Sequence, residues 1–314
     1  MQLAQKALLV GSCFTEHIGN HLAQSGMQVL QNPHGILFDP LSVCGSLQAY
    51  LRADKVGEGD LFQHNELWYH WQFHSRYAHT DRALAASLLN QQLQFGSQWI
   101  RQANWLIITL GSSFSYQLQE RQMMPVANCH KWPGNAFHKH LCTIEETVTA
   151  LDSVLHQLFQ VNPGIQVLFT ISPVRHLRDG VVQNNRSKAR LIEAVHHLVN
   201  KFARLHYFPA YELVIDVLRD YRYYDVDLAH PNFAATRFVV AQFMQACFGE
   251  ADQALAEKVN ALHTASRHRS QFPHTQAHQQ FLRSQLQQVQ QLKQTHPFLQ
   301  LEDLQRSFSA ALLP

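Results

Sequence analysis

What most constrains this chain is a set of short, continuous apolar runs. Each is cut off by a turn residue and separated from the next by a stretch of helical periodicity. Residues 6–10 (KALLV) stop at Gly11, residues 105–110 (WLIITL) at Gly111, and residues 165–171 (IQVLFTI) at Ser172-Pro173. Residues 211–217 (YELVIDV) read as a fourth strand or a strand-to-helix junction. Strands that are apolar at every position, rather than at alternate ones, are buried on both faces. Between them the apolar residues fall at helical spacing: Ile18 and Leu22 within 15–25; Leu41, Leu47 and Leu51 within 40–51; Leu84, Leu88, Leu89, Leu93 and Ile100 within 81–103. Thr143 is placed to cap a helix running to about Phe159, with Glu145 and Glu146 in the first turn where the helix dipole favours acids. Further helices are expected over 185–205 and from Pro231 to about Phe248.

This alternation predicts an α/β fold with a parallel sheet covered on both faces. In such sheets, sites form beyond the carboxyl ends of the strands. Gly11-Ser12, Gly111-Ser112, Ser172-Pro173 and the Asp227 region would therefore converge on one rim. The aromatic stretch 54–75 predicts a small hairpin over 66–73, and 126–142 reads as a loop. After Gly249 glutamine and histidine dominate, and the apolar residues thin to Phe281, Leu282, Leu286, Val289 and Leu292. The expected division is a catalytic domain over 1–249 and a helical extension over 250–314 whose helices are a possible oligomer contact.

The net charge is +2 and no Lys/Arg run occurs, which argues against a nucleic-acid partner. No window approaches the roughly 20 apolar residues of a membrane helix. The apolar run at Ala7–Val10 is shorter than the roughly 7–15 residues of a signal-peptide core. Five cysteines (Cys13, Cys44, Cys129, Cys142 and Cys247) are odd in number, widely spaced and without a C-x-x-C pair. A reducing, cytoplasmic setting is the expectation, without a disulfide framework or structural zinc. With 21 histidines, pairs such as His138 and His140 arise by chance and predict no metal site.

Two stretches carry chemistry. Ser12 sits where a buried strand turns into a helix, beside the free N–H groups and positive dipole end of that helix. Such N–H groups suit an oxyanion, although serine is also a common helix cap. Cys13 is a rival nucleophile, or a small buried residue. Asp227 and His230 are three residues apart at a predicted helix start, so a carboxylate there can orient an imidazole and stabilise its charged form. Asp225 is nearby but wrongly spaced for that arrangement.

Glycine–serine after the first strand and Asp-x-x-His-Pro before the last main helix resemble the SGNH, or GDSL-like, hydrolases. The sequence is closer to one branch, the GSCFA family. It carries Gly11-Ser12-Cys13-Phe14 with Thr15 in place of the usual alanine, Asn32-Pro33-His34-Gly35-Ile36-Leu37, Thr109-Leu110-Gly111, Val126-Ala127-Asn128-Cys129-His130-Lys131, Ser172-Pro173-Val174-Arg175-His176, Arg186-Ser187-Lys188, and residues 227–232. The resemblance runs from about Leu8 to Phe248. It implies a three-layer, flavodoxin-like α/β fold with a triad of Ser12, His230 and Asp227, requiring no metal or organic cofactor. It also implies an oxyanion hole of Ser12 N–H, Gly35 and an asparagine. Where G-x-N-D is usual, this chain has Gly111-Ser112-Ser113-Phe114, so Asn128 is nominated as the missing donor, with Ser113 second. Gly111, Ser113, His130, Arg175 and His176 are the expected substrate-side residues, Arg175 pairing either with an anionic substrate group or with a carboxylate of the protein. The implied activity is cleavage of a short acyl ester, acetyl for instance, on a small molecule or carbohydrate. An O-acyltransferase using the same triad and a non-catalytic binding protein on the same fold are the alternatives.

Overall fold

The structure, a computed structural model, describes residues 1–312. In chain order its elements are β1 (Lys6–Gly11), α1 (Cys13–Gln24), β2 (Gln28–Gln31), α2 (Pro40–Arg52), β3 (Phe62–His64), β4 (Leu67–Tyr69), α3 (Arg82–Gln102), β5 (Trp105–Leu110), β6 (Phe114–Leu118), β7 (Met124–Val126), β8 (Phe137–Leu141), α4 (Ile144–Val161), β9 (Gln166–Ile171), α5 (Gly180–Lys201), β10 (Leu205–Phe208), α6 (Ala210–Glu212), α7 (Phe233–Cys247), α8 (Glu250–Arg267), α9 (Gln276–Thr295) and α10 (Glu302–Ala311). The central sheet is parallel and five-stranded, in the order β10-β9-β5-β1-β2. That is the flavodoxin-like order, with its reversal at β1 and β5.

The apolar runs become the central strands because they are buried throughout: Leu8, Leu9, Leu106, Ile107, Ile108, Val167 and Phe169 are almost inaccessible to solvent. Against them pack α2, α3, α4 and α5, each with one apolar stripe; α2 touches α3 and α4, and α4 touches α5. The caps are in place. Asp39 accepts from Ser42 N at 3.0 Å and Asp81 from Leu84 N at 2.8 Å. Thr143 and Glu146 form a reciprocal capping box that starts α4.

Four expectations are corrected. The fourth strand is Leu205–Phe208, paired in parallel with β9, whereas residues 211–217 are helical, as α6 and a π-helical turn over Leu213–Leu218. The helix before it ends at Lys201, four residues short of the expected limit. Residues 126–142 are not a plain loop: β7 and β8 flank β6 in a three-stranded antiparallel sheet. The small hairpin exists, but as β3 and β4, earlier than 66–73. Trp71 and Phe73, at its end, are buried, with Trp71 stacked on Phe62 at 3.7 Å and Phe73 on His34 at 3.9 Å.

The chain divides into two compact units. One comprises residues 8–17 and 30–239; the other joins residues 1–7, 18–29 and 240–312 of the described chain. In the latter, α8, α9 and α10 pack together around Leu255, Val259, Leu262, Leu282, Val289, Leu304 and Phe308. The N-terminal amine of Met1 donates to Cys247 O at 2.7 Å, Leu3 N to Asp252 Oδ1 at 3.0 Å, and Gln300 N to Gly26 O at 3.1 Å. Among the described residues, no helix is long and apolar enough to cross a membrane.

Candidate active site

The site is built where β1, β5 and β9 end. Gly11 closes β1 with φ of +147°, and a Cβ there would stand 2.2 Å from Thr109 O. Only glycine allows this approach. Asn32 holds the turn from the other side, its Oδ1 accepting from Gly11 N at 2.9 Å, while its Nδ2 is buried without a partner. Ser12 follows. It is 3% exposed and its Oγ makes no hydrogen bond. An orphaned buried hydroxyl costs free energy unless something else uses it. Cys13 is one residue further into α1, and burial, then the charge of Glu16, push its thiol above the ordinary value. A thiol so placed is a poor thiolate nucleophile.

Asp227 and His230 lie together on the loop before α7. His230 Nδ1 donates to Asp227 Oδ2 at 2.6 Å, and Asp227 Oδ1 accepts from the N–H groups of Ala229 and His230, each at 2.9 Å. These three donors hold the carboxyl of Asp227 at about 2, the backbone N–H of His230 being the largest cause. Leu228, with φ of +55°, makes the tight turn that lets residues three apart meet. Both side chains are about half exposed, 53% for His230 and 46% for Asp227. With Nδ1 engaged, Nε2 of His230 is the nitrogen left to take a proton. Arg175 ties down this loop. Its N–H donates to Ala229 O at 3.0 Å and its guanidinium lies 4.2 Å from the Tyr224 ring and 5.2 Å from that of Tyr221. Its partners are thus aromatic faces and a carbonyl.

A cavity of about 570 Å³ opens on the same rim, bordered by Phe38, Ser112, Asn128, His130, Trp132 and His176. Asn128 lies in its wall. Its Oδ1 accepts from His130 N at 2.9 Å, and among the described residues its amide NH₂ has no partner. His130 is structural in its bonding: Ser75 Oγ meets its Nδ1 at 2.9 Å and its Nε2 donates to His70 O at 3.0 Å. Burial holds it neutral, pushed down to about 4. Lys139 and Asp179 form an ion pair at the cavity's edge. Neither this cavity nor a larger one of about 680 Å³, lined by His34, Cys44, His70 and Phe73, counts Ser12, Asp227 or His230 in its lining.

The nominated oxyanion donors are occupied to different degrees. Ser12 N–H donates to Thr109 O at 3.0 Å, and Gly35 N–H to Asn32 O at 2.7 Å. Gly111 N–H donates to Phe38 O at 2.8 Å. Ser113 is fully buried, its N–H donating to Ser187 Oγ at 2.7 Å and its hydroxyl held by Ser187 as well. It therefore anchors the end of β5 to α5. His176 is brought close: a Cβ on Gly111 would sit 3.3 Å from Ser12 Cβ and 3.4 Å from His176 Nε2.

One supporting residue stands out by its place in the sequence pattern. Lys188 falls on the apolar stripe of α5 with Asn184, Leu191, Val195 and Leu198, an unusual place for a lysine. It is fully buried, and its Nζ donates to Gly111 O at 2.5 Å and Ser172 O at 2.6 Å, clamping the ends of β5 and β9. Burial lowers it to about 7. Among the described residues, one group could hold a metal: His140, Cys142 and Glu146, with ligand atoms within 4.8 Å of one another. Glu146 already pairs with His140 at 2.8 Å and caps α4, and burial raises the Cys142 thiol to about 11.

Fold and rim together define a parallel α/β protein whose polar residues gather at the carboxyl edge of its sheet. The chain belongs to the GSCFA family: the family's model matches residues 6–243, and that of the GSCFA domain protein, C-terminal domain, matches 259–313. No curated protein matches it. Among solved structures it is similar to an acetyl xylan esterase (Est2A) from the rumen bacterium Butyrivibrio proteoclasticus, at 12% identity and a TM-score of 0.39 over 77% of this chain. The match spans 63% of that enzyme, less than two thirds of its length.

Proposed function

We propose that this protein is a serine hydrolase acting on carboxylic esters, with Ser12 as nucleophile, His230 as base and Asp227 as the group that orients it. The observation that carries this reading is the pairing of Asp227 with His230 Nδ1 on the rim where Ser12, an unpartnered buried serine, ends β1. An orienting carboxylate fixed by two backbone N–H groups leaves Nε2 as acceptor, the state a general base requires.

In this mechanism His230 Nε2 takes the Ser12 proton as Oγ bonds to the ester carbonyl carbon, and the carbonyl electron pair moves to oxygen. Collapse of that oxyanion breaks the bond to the alcohol oxygen, which leaves with the proton from His230. Water then attacks the acyl-enzyme, gives its proton to His230 and restores Ser12 with release of the acid. For the oxyanion, the NH₂ of Asn128 is one side-chain donor without a partner among the described residues. The N–H groups of Ser12 and Gly35 can contribute only by sharing or releasing Thr109 O and Asn32 O. The cavity has a size suited to a small ligand, and its Trp132, Tyr116, Phe114 and Phe137 beside Asn128 and Lys139 suit a polar ring with apolar faces. A carbohydrate carrying a short acyl ester fits that wall, and an acceptor hydroxyl in place of water would make the same site an acyltransferase.

The test is hydrolysis of p-nitrophenyl acetate, with and without sugar acceptors, by the wild type, Ser12→Ala and His230→Ala. Turnover by the wild type that falls to background in both variants is the expected result. Turnover that persists in Ser12→Ala would end the assignment.

A further inference from the structure

We propose that His176 is a catalytic residue: its Nε2–H donates to the oxyanion formed at Ser12, in the role that an asparagine takes in the G-x-N-D pattern this chain lacks. The inference rests on the serine hydrolase reading above. Its first ground is geometric. Ser12 Cβ and His176 Nε2 border the same point, 3.3 and 3.4 Å from where a side chain on Gly111 would begin. Phe38 Cβ lies nearer still, at 3.0 Å, so that point is closely packed, with the nucleophile and an imidazole nitrogen among its three nearest neighbours. A carbonyl attacked by Ser12 Oγ can place its oxygen within reach of that nitrogen. His176 also borders the 570 Å³ cavity, so the rest of the substrate has room on the imidazole's side.

The second ground is the shortage of other donors: of those nominated, Asn128 alone keeps an unpartnered N–H among the described residues. The N–H groups of Ser12, Gly35 and Gly111 donate to Thr109 O, Asn32 O and Phe38 O, and Ser113 is tied to Ser187. His176 has its backbone N–H fixed by Asn184 Oδ1 at 2.9 Å and its ring against Phe38 at 5.6 Å between centroids, while among the described residues neither ring nitrogen has a hydrogen-bond partner. A preorganised donor with a vacant N–H is what an oxyanion hole requires, since no reorganisation is then needed as charge develops.

The third ground is electrostatic. Burial, and then the charges of Lys188, His230 and Lys139, hold His176 down at about 4. A neutral imidazole has one N–H donor, and the proposal requires it on Nε2. Neutrality suits a donor that must not give its proton away, and makes His176 a weak base beside the Asp227-paired His230.

The experiment compares wild type, His176→Ala, His176→Gln, His230→Ala and Ser12→Ala in two assays: steady-state hydrolysis of p-nitrophenyl acetate, and the rate of Ser12 phosphonylation by a fluorophosphonate, read by mass spectrometry. In the second assay Ser12 Oγ bonds to phosphorus, fluoride leaves, and a phosphoryl oxygen takes the oxyanion's place. For His176→Ala, kcat and the phosphonylation rate should both fall about 10²–10³-fold with KM little changed. His176→Gln, whose amide can donate from nearly the same place, should recover at least tenfold of that loss. Rates in His176→Ala within threefold of wild type, or an equal loss in both His176 variants, would overturn the donor role. So would a His176→Ala enzyme as dead as Ser12→Ala beside a His230→Ala enzyme near wild type, which would make His176 the base. A wild type that neither turns over ester nor labels at Ser12 overturns the hydrolase reading and this inference with it, and is told apart by that control.

Discussion

The side of the rim that carries the proposed nucleophile and the side that carries the proposed base are built in opposite ways. Ser12 is buried, and most of what places it comes from far along the chain: Thr109 receives its N–H, Asn32 holds Gly11, and Lys188 clamps the strand ends beside it. Asp227 and His230 are half exposed, and the bonds that pair them are made within four residues, with Arg175 N–H on Ala229 O as a longer tie on their loop. One half of the site is thus a consequence of core packing and the other of a local turn. Substitutions on the nucleophile's side should therefore damage fold and activity together, and those on the loop should damage activity alone.

The largest effect expected is on the loop. His230→Ala should lower kcat/KM for an active ester by about 10²–10⁴-fold, and Asp227→Asn should fall in the same range, while the melting temperature of both stays at the wild-type value. A matching drop in thermal stability would show that the loop is coupled to the core after all. On the other side, Gly11→Ala sets a Cβ 2.2 Å from Thr109 O in a backbone conformation foreign to alanine. It should cost about 3–5 kcal/mol in denaturant titrations. A loss under about 1 kcal/mol would mean that β1 can shift freely, and the contrast between the halves would fail. Gly111→Ala is milder, with its nearest contacts at 3.0 Å to Phe38 Cβ and 3.3 Å to Ser12 Cβ. About 1–3 kcal/mol of stability is expected to go, with turnover falling more steeply than stability because the intruding methyl sits beside the nucleophile.

The smallest effect sharpens the comparison through pH. Lys188 is held at about 7 when folded against an ordinary 10.5, with burial as the main cause. Below pH 7 both states carry the proton and the cost of a buried ammonium is felt in full. Between 7 and 10.5 the unfolded chain binds more protons than the folded one, so stability contributed at this position rises with pH, by at most about 1.4 kcal/mol per unit. Unfolding free energies of wild type and Lys188→Met at pH 7 and pH 9 should therefore diverge in favour of the wild type at the higher pH. A difference that does not change with pH would place the titration of Lys188 elsewhere.

The division between what could be read along the chain and what could not follows the same line. Continuous apolar runs ending at glycine disclosed three of the central strands, because a strand covered on both faces has no polar position to spare. The Asp-x-x-His-Pro stretch disclosed the pairing of Asp227 with His230, because the hydrogen bonds between them are local and follow from spacing. The fourth strand was misplaced because YELVIDV is as apolar as a strand. Tertiary packing alone decided that LHYF pairs with β9 and that the later run turns helical. The antiparallel sheet over β6, β7 and β8 was hidden for a related reason: its short strands are held by one another and carry little periodicity of their own. The partners of Ser12 could not be read either. Thr109, Asn32, His176 and Lys188 meet it or its neighbours through contacts that span from twenty to well over a hundred residues of chain. Sequence by itself determined the layered α/β architecture and the Asp227–His230 pair. Only the folded chain decided which donors beside Ser12 are occupied and which remain vacant, since hydrogen-bond partners separated by that much chain are chosen by packing.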